Sequence, residues 1–138
     1  FVDRAQLEAG LARAERYLRT IAAQGYTGVV LDNLAHLVSF DGAPARIYAP
    51  DDPCRQRALI YGEAFGRLFD AAAALGLELF VTTDMQWATP GLRRYAGPLR
   101  AGNARLAAAN RWALDELFAR FPQLRGLFVR VGEAGGAH

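Results

Sequence analysis

Apolar residues recur at helical spacing in three separate stretches of the chain. In the first, Leu7, Leu11, Ala14, Leu18 and Ile21 form one stripe, which predicts a helix over Arg4 to Gln24. Asp3 is placed to cap it, and Gly25 to end it in a left-handed conformation. In the second, Tyr61, Phe65, Leu68, Phe69 and Ala72 predict a helix ending near Leu75, with Asp51 or Asp52 as cap, Pro53 in its first turn and Gly76 as its stop. In the third, Leu106, Ala113, Leu114, Leu117, Phe118 and Phe121 predict a helix capped by Asn103 and stopped by Pro122.

Each helical stretch is followed by a short continuous apolar run. These are Gly28-Val29-Val30-Leu31, Leu77 to Thr82, and Gly126-Leu127-Phe128-Val129-Arg130-Val131. Gly28 to Leu31, apolar on both faces, predicts a strand covered on both sides, as in a parallel sheet. The order α-β-α-β-α-β predicts right-handed parallel βαβ units.

Connections from helix to strand are short. Those from strand to helix are long: Asn33 to Pro53, with a short extended piece expected at Leu37 to Phe40, and Gln86 to Gly102. Tight turns on one face and elaborated loops on the other fit a (β/α)₈ barrel, although an open doubly wound sheet has the same asymmetry. The predicted fold class is α/β, a partial (β/α)₈ TIM barrel of about three βα units. The chain begins without an initiator Met and stops shortly after Glu133, so residues 1–138 read as a fragment of one larger catalytic domain.

Composition narrows the chemistry. Hydrophobic residues make up 52% of the chain, enough for a core rather than a disordered segment. All 16 basic residues are arginine, scattered among 14 acidic ones for a net charge of +2. No basic stripe marks a nucleic-acid partner. No run approaches the roughly 20 apolar residues of a membrane span. Cys54 stands alone, so neither an internal disulfide nor a cysteine metal cluster can form. Asp32-Asn33-Leu34 occupies the place where a glycine-rich phosphate loop would follow the first strand, which argues against dinucleotide and P-loop binding. No His-x-His follows a strand, and no Gly-x-Ser-x-Gly elbow is present.

What remains is carboxylates at strand ends. Asp32, Asp84 and Glu133 each follow one of the three strands. Neighbouring strands lie about 4.8 Å apart, so such side chains would converge on one rim. An Asp in that position is as often a turn or cap residue. Glu133 is neither a good turn former nor a good cap, and its glycine flanks, Gly132 and Gly135-Gly136, would let backbone approach a ligand. Arg130 interrupts its strand with a charge that needs a partner, and a rim carboxylate would supply one. If no ligand is involved, Glu133 pairs with Arg130 or Arg125. The two long loops contribute Asn33 and His36 on one side and Gln86, Trp87, Arg93, Arg94 and Tyr95 on the other. Aromatic faces stack on sugar rings, and amide, imidazole and guanidinium groups bind hydroxyls. Each of these loop residues could equally serve packing or backbone hydrogen bonding.

The segments Val29-Val30-Leu31-Asp32, Phe80-Val81-Thr82-Thr83-Asp84 and Phe128-Val129-Arg130-Val131-Gly132-Glu133 resemble successive strands of a TIM-barrel glycoside hydrolase. The last is similar to the fourth strand of such barrels, which commonly ends in the general-acid glutamate. Gly132 stands where the largest clan has an Asn before the acid, so the family stays open, with α-glucuronidase-like and hexosaminidase-like barrels both compatible. The resemblance implies that Glu133 is the catalytic acid, and that Asp32, Asn33, His36, Asp84, Gln86, Trp87 and Arg130 bind substrate. It implies a carbohydrate substrate, no cofactor and no metal, with the rest of the barrel, including the second catalytic carboxylate, outside this chain. Two alternatives remain: an Mg²⁺-holding, enolase-type set of Asp32, Asp84 and Glu133, although no lysine base is present, and a non-catalytic carbohydrate-binding barrel.

Overall fold

The computed structural model describes residues 2–31, 37–84 and 88–130, with Thr83, Asp84 and Arg130 described by backbone only. The elements in order are α1 (Arg4–Ala23), β1 (Gly28–Leu31), α2 (Pro53–Ala74), β2 (Glu78–Asp84), α3 (Pro90–Ala96), α4 (Ala104–Arg120) and β3 (Leu124–Arg130).

The helix starts are set by side chains that accept the first free amides. Asp3 accepts from the Gln6 amide, Asp52 from Cys54, and Asn103 from Arg105 and Leu106, each satisfying donors that have no partner within the helix. Past the ends of α1 and α2, Gly25 and Gly76 adopt φ of 88° and 75°, a conformation that costs glycine nothing. The next strand follows within a few residues.

The three strands form one parallel sheet in the order β1-β2-β3. Leu79 and Val81 of β2 face the helices and are fully buried. Against them pack Leu11, Leu18 and Ile21 of α1, Ala64, Leu68, Phe69 and Ala72 of α2, and Leu117 and Phe121 beside them. Phe69 is at the centre, edge-on to Phe121 with ring centroids 5.0 Å apart.

Three expectations are corrected. The first is the partial barrel. The sheet is open: among the described residues β1 and β3 are each paired on one edge only, and a barrel needs every strand paired on both. The chain is a small α/β unit of helices on a three-stranded parallel sheet. The second is two-sided cover. The helices pack on the Leu79 and Val81 face, whereas Val30 and Phe128 on the opposite face remain 47% and 51% exposed. On that face Phe80 meets Phe128 edge-on at 5.6 Å, with Gly28 and Gly126 next to its ring. The third concerns α4. Its buried positions are Leu106, Ala109 and Leu117, while Leu114 and Phe118 point outward. The stripe is narrower than the apolar residues alone imply.

Candidate functional site

The register of the sheet fixes how the strands reach their carboxyl edge. Leu31, the last residue of β1, is level with Val81. Further along, Asp84 and Arg130 are Cα partners at the ends of β2 and β3. The ladder therefore sets the backbones of Asp84 and Arg130 at one level. The long strand-to-helix connections leave from this same edge.

Both connections fold onto each other as a second apolar cluster. Ile47 and, around it, Phe40 and Tyr48 come from the β1–α2 connection. Leu92, Ala96 and Tyr95 come from α3, Leu99 from the segment after it, and Leu106, Ala109 and Trp112 from α4. Polar contacts fix the cluster. The Tyr48 hydroxyl and the Thr89 hydroxyl share a hydrogen bond of 3.0 Å. Thr89 is buried and its side-chain oxygen also accepts from the Leu92 amide, capping α3. Burial pushes the Tyr48 hydroxyl above the usual tyrosine range, with the Thr89 bond opposing that shift. Gly91 packs so closely on this connection that a Cβ there would stand 2.5 Å from the Ile47 carbonyl oxygen. Asn103 ties the end of α3 to the start of α4, its amide donating to the Ala96 and Pro98 carbonyls at 2.8 and 2.7 Å.

The β1–α2 connection is held from α4 as well. Glu116 Oε1 accepts from the Ser39 amide at 2.7 Å and the Ser39 hydroxyl at 2.8 Å, and its Oε2 accepts from the Phe40 amide at 2.7 Å. One turn on, Arg120 donates to the Leu37, Ala58 and Leu59 carbonyls at 3.3 to 3.5 Å. Its guanidinium fills the space above Gly62. Farther along, Arg55 grips Asp41 with two bonds of 2.6 and 2.9 Å and donates to the Pro50 carbonyl.

The Arg55 guanidinium holds the Asp41 carboxyl below its ordinary value of 3.8. A depressed carboxylate stabilises the fold above its unfolded value and loses that contribution as pH falls through the folded one. Asp41→Asn should therefore lower stability at neutral pH. The gap to wild type should close as acid protonates Asp41. Urea unfolding of both proteins across the acid range reads this directly. Because the Asp41 side chain is 46% exposed, the effect is modest.

The residues expected at the site divide into two groups. Asp84 and Arg130 lie at the carboxyl edge, at the same level of adjacent strands. Asp32, Asn33, His36, Gln86, Trp87 and Glu133 lie outside the described residues. Tyr95, read from sequence as a loop residue for either ligand contact or packing, packs against Trp112 at 5.6 Å in the second cluster. Arg94 approaches the α2 cap residue Asp52 at 3.9 Å. The expected extended piece at Leu37 to Phe40 pairs with no strand among the described residues. It is held by Glu116 and Arg120 instead, and Phe40 takes a φ of 60°. Ser39, Tyr48, Thr89, Glu116 and Arg120 were not singled out by sequence. A signal was present for the last two: an acid and a base four apart, in line with Ala109 and Trp112 on the inward side of α4.

Among the described residues no three acidic, histidine or cysteine side chains gather as a metal site, and no helix is long and apolar enough to cross a membrane. Compared with known protein families, curated proteins and solved structures, the chain matches none.

Proposed function

We propose that this chain contributes the catalytic edge of a glycoside hydrolase, with Glu133 as the general acid. The observation that carries the reading is the register of β2 on β3. Asp84 and Arg130 end adjacent parallel strands at one level, and Glu133 follows three residues after Arg130 in the chain. Ligands of open parallel sheets bind beyond the carboxyl ends of the strands, where both long connections also emerge.

In this reading Glu133 protonates the glycosidic oxygen as the bond to the sugar breaks, so its carboxyl must still hold a proton near neutral pH. Neighbouring negative charge raises a carboxyl pKa and favours that form. Asp84 is the candidate source. Asp32, Asn33, His36, Gln86 and Arg130 bind hydroxyls, and Trp87 stacks on a sugar face. A second carboxylate completes hydrolysis, and its distance from Glu133 decides between retention at about 5 Å and inversion at about 6.5–9.5 Å.

The test is hydrolysis of a panel of glycosides by the full-length protein and its Glu133→Gln variant. Loss of activity by about 10²- to 10⁴-fold is expected, and full activity in the variant overturns the role. Activity that requires Mg²⁺ and disappears in Asp32→Asn and Asp84→Asn would instead support a metal-dependent reaction.

A further inference from the structure

We infer that the cavity between α4 and the β1–α2 connection binds a small organic cation, an ammonium or guanidinium group carried on an apolar stem. The cavity measures about 490 Å³, within the range of small-molecule sites. None of the residues lining it belongs to the proposed catalytic edge.

Its walls are fixed before any ligand arrives. On one side stand Gly42 and Ala43 of the connection. Their turn is closed by the Ala43 amide, which donates to the Phe40 carbonyl at 3.1 Å. Glu116 holds the chain just before it at Ser39 and Phe40, and Arg55 holds it at Asp41. On the other side stand Trp112, Asp115 and Ala119, spaced three and four residues apart along one face of α4. Trp112 is half-buried; its ring packs on Tyr95 and also borders the cavity. A wall already held in place loses little freedom on binding.

Charge decides the ligand. Asp115 borders the cavity, is exposed, and has no hydrogen bond or ion pair among the described residues. Glu116, beside it, is occupied by two amides and a hydroxyl, none of them a cation. Arg120 also borders the cavity, but its guanidinium is turned toward α2. There it donates to the Ala58 and Leu59 carbonyls and lies over Gly62. Among the described residues the cavity therefore offers negative charge and acceptors, with its one cation already committed. A neutral sugar brings hydroxyls that both donate and accept, whereas an ammonium or guanidinium only donates. Indole is the best aromatic partner for a cation, and Asp115 follows Trp112 by one helical turn. A carboxylate and an indole on one cavity wall match a group that combines positive charge with apolar flanks.

The experiment titrates the full-length protein with choline, with agmatine, and with the neutral analogue of choline in which a tert-butyl group replaces the trimethylammonium. Calorimetry gives the affinity. The NMR signal of the Trp112 indole N–H, assigned by its absence in Trp112→Phe, gives the location. At least one cation should bind and move the Trp112 signal, and the neutral analogue should bind about tenfold more weakly or worse. Asp115→Asn, which removes a charge at an exposed position, should weaken the cation about tenfold. Ala119→Arg sets a competing guanidinium one turn from Asp115 and should abolish binding. Glu133→Gln should bind as wild type does, so the outcome is separate from that of the glycosidase reading. Failure of both cations to bind, equal binding of the neutral analogue, or unchanged affinity in Asp115→Asn would overturn the inference. Methyl glucoside moving the Trp112 signal where the cations do not would overturn it in favour of a sugar. If Trp112→Phe does not fold, loss of affinity in Asp115→Asn and Ala119→Arg locates the site, and wild-type affinity in both refutes it.

Discussion

Replacing Phe69 with Ala should cost about 3–5 kcal/mol of stability, a loss typical of removing a buried aromatic ring. No other side chain is better placed to show how the helix layer is held. Phe69 is 0% exposed. Its ring meets Phe121 at 5.0 Å and Phe65 at 6.2 Å, so one deletion removes an aromatic contact between α2 and the end of α4. Around that junction lie residues from α1, the β1–α2 connection and all three strands. Collapse into the space would require three elements to move together, which argues for the upper part of the range. Urea denaturation at neutral pH measures it. A cost under about 1 kcal/mol, as for an exposed position, would mean that Phe69 is not the centre of this core.

Gly91→Ala should break the second cluster while leaving the first in place. The added methyl would stand 2.5 Å from the Ile47 carbonyl oxygen and 2.6 Å from the Tyr48 ring. Backbone on one side and a ring on the other leave no flexible end to give way. Either α3 moves off the β1–α2 connection or that connection shifts, and both outcomes strain the Tyr48–Thr89 bond. Overpacking of this kind costs about 1–3 kcal/mol. The location should be as diagnostic as the size. Amide exchange should accelerate in α3 and its neighbours, with Leu79 and Val81 in the central strand still protected. The change should also return Tyr48 toward ordinary tyrosine titration, because burial is what raises it. Uniform acceleration across the sheet would show that the two clusters are one cooperative unit.

Local rules in the sequence account for most of the element order. Asp3, Asp52 and Asn103 announce helix starts because a short polar side chain is the best acceptor for free amides. Gly25 and Gly76 announce helix ends. β1 falls on the predicted four residues. α3 escaped because seven residues are too few to show a helical period, and because Pro90-Gly91 reads as a loop. Thr89 followed by Pro was the available sign, a cap with proline in the first turn. The barrel expectation failed for a different reason. Alternating helices and apolar strands look the same in a closed and an open parallel sheet, since closure depends on pairing between strands distant in sequence.

The same limit applies to the site. Asp84 was legible as a rim residue because it follows an apolar run, and Arg130 as a charge within one; the ladder brings their backbones together. Glu116 carried one sign, its place in line with Ala109 and Trp112 with Arg120 four residues on, but its partners lie 76 and 77 residues away, so its role was not legible. Tyr95 reads as a loop aromatic open to ligand contact or packing, and its contact with Trp112, on another helix, could not be read from the chain. Of the residues chosen for their chemistry, Asp84 and Arg130 fall at strand ends within the described residues, whereas the residues that hold the connections became visible only through long-range contacts.

The central claim, that Glu133 delivers a proton to the leaving group, is tested most directly by changing how much the leaving group needs one. Full-length wild-type and Glu133→Gln proteins are compared on two glycosides of the same sugar, one releasing an ordinary alcohol and one releasing a strongly acidic phenol. A general acid matters only where the departing oxygen must be protonated. The variant should lose about 10²- to 10⁴-fold in kcat/KM on the first and keep near wild-type cleavage on the second. An equal loss on both, or no loss on either, would contradict the assignment.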